Sequence, residues 1–234
     1  MTGLPLLLLL LSQENFEAAS IRPSKAQDNS SGITTSRGGV TTENTSLSAL
    51  IRYAYKAHSY QIIGASGWME DLHWDINARN QDDDTSGGSA GERTRARMRN
   101  LLAERFRLKI KAETRELPVY ALVADKQGLK LKLSEGSAST NTNENNGSGR
   151  FTGEGITMNA FALNLSGMVG RTTIDETGLG EATYHVEMNW TDGGSGDGPS
   201  IFTAIREQLG LRLESKKGPV PVYVIEGAEK PTDN

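Results

Sequence analysis

Proton transfer and metal ligation at neutral pH fall first to histidine, and the sequence holds three: His58, His73 and His185. A metal needs several donors on one side of an element, which a His-x-x-x-His pair or a flanking Glu supplies, and neither pattern occurs here. His58 follows an apolar helical stripe and reads as a cation near a helix C-terminus, where the dipole favours it. His73 and His185 fall in matching segments of two similar stretches, out of step with each other. A triad can be written from Asp175, His185 and a neighbouring Ser or Thr. The Gly-x-Ser-x-Gly elbow that would present its nucleophile is missing, and the residues lie across an expected hairpin. "DETGLG", from Asp175, fits turn chemistry instead: Asp starts the turn and Gly178 or Gly180 takes a positive φ. "GGSGDG" lacks the Lys-Ser/Thr of a phosphate loop, and Pro199 with Ser200 reads as a helix start. Asp82, Asp83 and Asp84 lack the alternating spacing of a calcium loop. These patterns point to no catalytic residue, no cofactor and no metal.

Aromatic side chains can instead mark a binding surface. Trp74 aligns with Tyr184, as a core position would, whereas Trp68 has no aromatic counterpart and is a candidate contact. Val119-Tyr120 and Val222-Tyr223 stand in matching "PVY" runs, where a strand could pair with a partner's strand through its main chain.

The elements that must position these residues are written twice. "AERFRLKIKAETRELPVYALV" aligns without a gap to "REQLGLRLESKKGPVPVYVIE" at a spacing of 103 residues. "VTTENTSLSAL", from Val40, aligns with "FTGEGITMNAF", from Phe151, so that Glu43 meets Glu154. Leu47, Leu50, Ile51 and Ala54 share one helical face, as do Met158, Phe161, Ala162 and Leu165. Ser46 and Thr157 stand where an N-cap belongs. Met98, Leu101, Leu102 and Phe106 form a second stripe, matched by Ile201, Ala204, Ile205 and Leu209. "RLKIK", a turn at "AETRE" and "LPVYALV" read as a hairpin, as do "GLRLE", "SKKG" and "VPVYVIE". The expected fold is α+β: two tandem copies of a β-α-β-β-α-β-β unit, with helices packed on a small antiparallel or mixed sheet. Residues 1–15 form a signal-peptide-like segment and 16–133 the first repeat with a leading strand at "FEAASIRPS". Residues 134–149 form a flexible linker by composition and 150–234 the second repeat.

Composition narrows the partners. A net charge of −4, with 25 basic among 29 acidic residues, provides no footprint for nucleic acid. The absence of cysteine excludes disulfides and thiolate sites. Seven leucines between Leu4 and Leu11 are too few for a membrane-spanning helix and fit a secretory apolar region. No membrane span is expected in the mature chain.

The run from "FEAASIRPS" through "LSALIRYAYKAHSYQIIGASGWMEDLHWDINAR" to "IREQLGLRLESKKGPVPVYVIEGAEKPTDN" resembles a heavily paralogous family of exported proteins from acidobacterial-type soil bacteria, a domain of unknown function. The resemblance implies a bacterial exported protein and no known activity. Lys111 stands where that family commonly has histidine, and "EATYH" follows "TGLG" where the family usually continues Tyr-Asp. Each copy also resembles, more distantly, the short N-terminal domain of secretins and TonB-dependent receptors, a module that docks proteins.

The expected function is therefore that of a non-catalytic protein, periplasmic or secreted, that binds a protein or cell-envelope component. Its candidate contact residues are Trp68, Val119, Tyr120, Val222 and Tyr223. Two alternatives are a hydrolytic enzyme with a site between the repeats and a carbohydrate-binding protein that uses exposed tryptophan. The apolar start predicts that mature protein recovered from the periplasm or medium begins between Gln13 and Phe16. N-terminal sequencing of natively expressed material checks this, and an intact Met1 in the cytosol is the contrary result.

Overall fold

The computed structural model describes residues 15–26, 30–36, 38–80, 90–145, 148–191 and 198–231. The signal-like segment up to residue 14, the acidic run Asp82–Asp84 and most of "TDGGSGDGP" lie outside them. In chain order the elements are β1 (Ala18–Pro23), β2 (Gly32–Ser36), β3 (Gly39–Ser46), α1 (Leu47–Tyr55), β4 (Ile62–Ile63), α2 (Gly67–Asp71), β5 (His73–Arg79) and α3 (Ala90–Arg105). Then come β6 (Lys109–Ala124), β7 (Lys132–Leu133), β8 (Ser139–Asn145), β9 (Ser148–Ile156), α4 (Met158–Met168), β10 (Thr173–Asp175), β11 (Tyr184–Thr191), α5 (Ile201–Leu209) and β12 (Leu211–Gly227). Helices combine with mostly antiparallel sheets, so the fold is of the α+β class.

The chain forms two compact units. Unit 1 runs to Glu113 and resumes at Val222; unit 2 is Thr114–Pro221. This partition differs from boundaries drawn at 133 and 150, because the chain changes unit inside β6 and again inside β12. The turns expected at "AETRE" and "SKKG" do not form, and each run is one unbroken strand. The physical reason is plain in the first: "AETRE" has no Gly, Asn, Asp or Pro to favour a reversal. In the second, Gly218 is buried, and a Cβ there would stand 3.2 Å from Val119 Cγ2.

In unit 1, β1-β5-β3-β2 form an antiparallel sheet. Alternation along β5 sends Trp74, Ile76 and Ala78 to one face, where they join Ile21, Val40, Leu50, Ile51, Met98 and Leu102 in the core. α1 begins where Ser46 Oγ accepts the Ala49 N–H at 3.2 Å, the cap its sequence predicts. Arg99 Nη1 of α3 donates to the Ala54 carbonyl at 2.9 Å and so joins the two helices. β4 pairs in parallel with Tyr223 and Val224 of β12. Ile225 from that strand completes the core.

Unit 2 has its own antiparallel sheet, β7-β11-β9-β8. Phe151, Met158, Phe161, Leu165, Val186, Met188, Ile205 and Leu209 fill the core between that sheet and the helices. Thr157 Oγ1 caps α4 by accepting the Ala160 N–H at 3.2 Å, and Ser200 Oγ caps α5 at Thr203 N, also at 3.2 Å. α5 ends at Gly210, whose φ of 66° suits a residue without Cβ. β10 pairs in parallel with Tyr120–Leu122 of β6. The segment expected as a linker contains β8, seven residues of "STNTNEN" paired to β9 from Ser139↔Glu154 to Asn145↔Ser148. An edge strand is held by its main chain and needs no apolar face, so composition alone reads it as a linker.

Leu108 in unit 1 and Leu211 in unit 2 are both buried. Truncating either to Ala is expected to cost about 2–5 kcal/mol. Chemical denaturation of the full chain checks this; a loss below about 1 kcal/mol would show that the site collapses around the missing atoms.

Candidate functional site

The functional geometry begins with a break in the β3 ladder. Thr42 pairs with Ile76 and Thr45 with Trp74, so Glu43 and Asn44 together oppose Asp75 alone in a β-bulge with one extra residue. Asn44 takes φ 46°, a conformation Asn tolerates better than most residues. Its N–H donates to Asp75 Oδ1 at 2.9 Å, and its side-chain Nδ2 donates to the Ser30 carbonyl at 2.9 Å. The bulge thereby ties the rim at Ser30 to the sheet and turns Glu43 outward.

Around it lies a groove of about 500 Å³ on the face of the sheet opposite the core. Ser20 and Arg22 of β1, Thr41 and Glu43 of β3, and Asp75 and Asn77 of β5 line it, with Lys25 on the rim. Arg22 stands directly opposite Asp75 in the β1–β5 register. No ion pair joins them, because the Asp75 carboxylate is turned to the Asn44 N–H. Arg22, Lys25 and Glu43 are exposed, and their charged groups find no partner among the described residues.

Unit 2 builds the same corner and fills it differently. Val186 pairs with Gly153 and Tyr184 with Ile156, which leaves Glu154 and Gly155 as the bulge, with Gly155 at φ 57°. Ser134 N donates to Thr183 O at 2.9 Å, as Ser24 N donates to His73 O at 2.9 Å in unit 1. Here His185 Nδ1 lies 2.5 Å from Glu154 Oε2, and the Ser134 hydroxyl bonds the other oxygen of the same carboxylate. His185 Nε2 is 3.9 Å from Glu187 Oε2. The Ser134 hydroxyl and the His185 imidazole hold the Glu154 carboxyl below its ordinary range.

The triad written from Asp175 does not assemble. Asp175 Oδ1 accepts from Thr177 N at 2.9 Å and from Thr177 Oγ1 at 2.7 Å, an Asx turn, with Gly178 and Gly180 at φ 73° and 64°. His73 Nδ1 lies 3.2 Å from its neighbour's carbonyl at Asp71, and His58 stacks on Tyr60 with centroids 5.4 Å apart. Among the described residues no group of three or more His, Asp or Glu could hold a metal ion.

The contact candidates lie as follows. Val119 and Val222 are buried. Tyr120 is half-buried, under the Arg171 guanidinium at 4.4 Å and edge-on to Phe202 at 5.5 Å. Tyr223 meets Tyr55 at 5.0 Å, and burial pushes the Tyr55 phenol upward. Trp68, on α2, packs partly buried against the unit 1 core, while Trp74 and Trp190 are buried. No tryptophan is fully exposed. The groove residues Arg22, Glu43, Asn44 and Asp75 were not singled out by the sequence reading. The available signal was the Glu-Asn and Glu-Gly pairs at matching positions, two residue types that accept positive φ.

The fold and its corners define an α+β protein with a polar groove on one open sheet face. The DUF3738 family, described as proteins of unknown function, matches residues 48–228, and the chain belongs to it. Comparison with curated proteins and with solved structures finds no match. No helix among the described residues is long and apolar enough to cross a membrane.

Because Glu154 is held below the ordinary value of 4.5, the folded state takes up its proton less readily than the unfolded chain. Its contribution is therefore complete above that value and is lost as pH falls through the lowered one. Glu154→Gln keeps an acceptor for Ser134 but removes the charge. Its denaturant midpoint is expected below that of the parent at neutral pH, with the gap closing as pH falls below the ordinary carboxylate range. A gap that persists in acid would refute the linkage.

Proposed function

We propose that this is an exported, non-catalytic binding protein, built from two copies of one α+β module, that holds a protein or envelope component on the open sheet face of unit 1. One observation carries the reading: the groove gathers exposed charges of both signs that are not spent on each other. Charged groups left unpaired beside a concave surface favour a complementary partner, and they set its orientation and encounter rate. The two-copy reading is supported by the repeated sequence and by the matching bulges at Glu43-Asn44 and Glu154-Gly155. Export to the periplasm or medium is supported by the leucine-rich start.

Strand pairing at Val119 or Val222 is a weaker basis for docking, since both side chains are interior and the adjoining residues already pair with β10 and β4. A hydrolytic reading draws on the His185–Glu154 hydrogen bond, which resembles a base held by its orienting acid. Its weakness is that the Ser134 hydroxyl lies on the carboxylate and not on the imidazole.

The double charge reversal Arg22→Glu with Glu43→Lys is expected to abolish capture of the partner from the native envelope fraction, while the thermal midpoint stays close to that of the parent. Equal capture by parent and variant, or a hydrolytic activity lost with His185→Ala in a folded protein, would overturn the proposal.

A further inference from the structure

The two corners, compared residue by residue, suggest what the unit 1 groove takes. In unit 2 the bulged Glu154 receives its donors from the chain itself: the Ser134 hydroxyl and the His185 imidazole. In unit 1 the residue at the place of His185 is Asp75, one step along the strand from Trp74 as His185 is from Tyr184. An imidazole has thus been replaced by a second carboxylate. Asp75 spends one oxygen on the Asn44 N–H, and Glu43 has no donor among the described residues. The Ser24 hydroxyl, at the place of Ser134, accepts from Ala26 N at 3.3 Å. The corner that closes on itself in unit 2 stays open in unit 1, with two carboxylates where a donor cation is wanted. Across the β1–β5 pair stand the Arg22 guanidinium and the Lys25 ammonium, also without partners among the described residues. Two residues along the same strands, the groove is lined by the hydroxyls of Ser20 and Thr41 and the amide of Asn77.

We propose that the unit 1 groove binds a zwitterionic ligand of the amino-acid or short-peptide class. The ligand's ammonium takes the place that His185 holds in unit 2, between Glu43 and Asp75. Its carboxylate is received by Arg22 and Lys25, where a guanidinium offers two parallel N–H donors. Ser20, Thr41 and Asn77, in the adjoining row of the sheet, flank the ligand's amides with polar groups, and the volume is that of an ordinary small-ligand site. This rests on the reading of the groove as a binding site and names what it recognises.

The test uses the full chain and three probes: triglycine, N-acetyltriglycine and triglycine amide. Amide chemical shifts of residues 20–26, 41–44 and 75–77 are expected to move with triglycine, with a Kd on the order of 1 mM, the range ordinary ligand efficiency allows for about a dozen heavy atoms. Each blocked probe is expected to bind about tenfold more weakly, as loss of one charge-assisted hydrogen bond implies. Glu43→Gln and Arg22→Gln should each weaken triglycine to a similar extent, and Glu154→Gln should leave it unchanged. Equal binding of all three probes, shifts located elsewhere, or no shifts at saturating triglycine would overturn the ligand class. If envelope capture were still lost on charge reversal, the groove would remain a binding site and only the ligand would be wrong. If capture were unaffected as well, the binding reading would fall with it.

Discussion

A bulge of two residues is the constraint on which both corners depend. In a regular antiparallel ladder Glu43 and Asn44 would alternate between core and solvent, and one would be buried. The positive φ at Asn44, and at Gly155 in the other unit, takes that residue out of the alternation, while Glu43 stays on the exposed side with Thr41. The strand before the bulge keeps Val40 in the core, and the strand after it delivers Ser46 as the helix cap and Leu47 to the interior. A single local irregularity therefore lets one strand serve the core, turn a carboxylate outward and hand the chain to a helix in register.

What each corner becomes is decided by one side chain on the neighbouring strand. With His185 beside Glu154, donor and acceptor are both internal and the carboxyl is held ionised. With Asp75 beside Glu43, the main-chain N–H of Asn44 satisfies one oxygen and the rest of the charge faces solvent. One corner therefore holds a self-satisfied pair, and the other carries carboxylate charge that faces solvent.

Much of the fold was legible because its signals are periodic. The stripes beginning at Leu47, Met158, Met98 and Ile201 became helices, the caps at Ser46 and Thr157 stand where expected, and the alternation of "HWDINA" became β5. The reading failed where main-chain hydrogen bonding outweighs side-chain pattern. "STNTNEN" carries no apolar alternation, yet it is a paired edge strand. "AETRE" sits between two strand-like runs and continues them, since a polar stretch with no turn-forming residue can stay extended. The groove was hidden for a different reason. Arg22, Glu43 and Asp75 are far apart in sequence, and only the β1-β5-β3 order brings them to one face.

Unit 2 is contiguous in sequence, whereas unit 1 is interrupted by the whole of unit 2. Tyr223, Val224 and Ile225, which pair with β4 and finish the first core, lie near the end of the chain. A chain made from its N-terminus thus emerges in one order and is completed in the other. The later unit has all of its residues once Pro221 has appeared, while the earlier one waits with its core lacking Ile225. Its core is then closed only after the whole of unit 2 has been made, and a chain cut between Pro221 and Val222 would carry a groove whose supporting core had never closed.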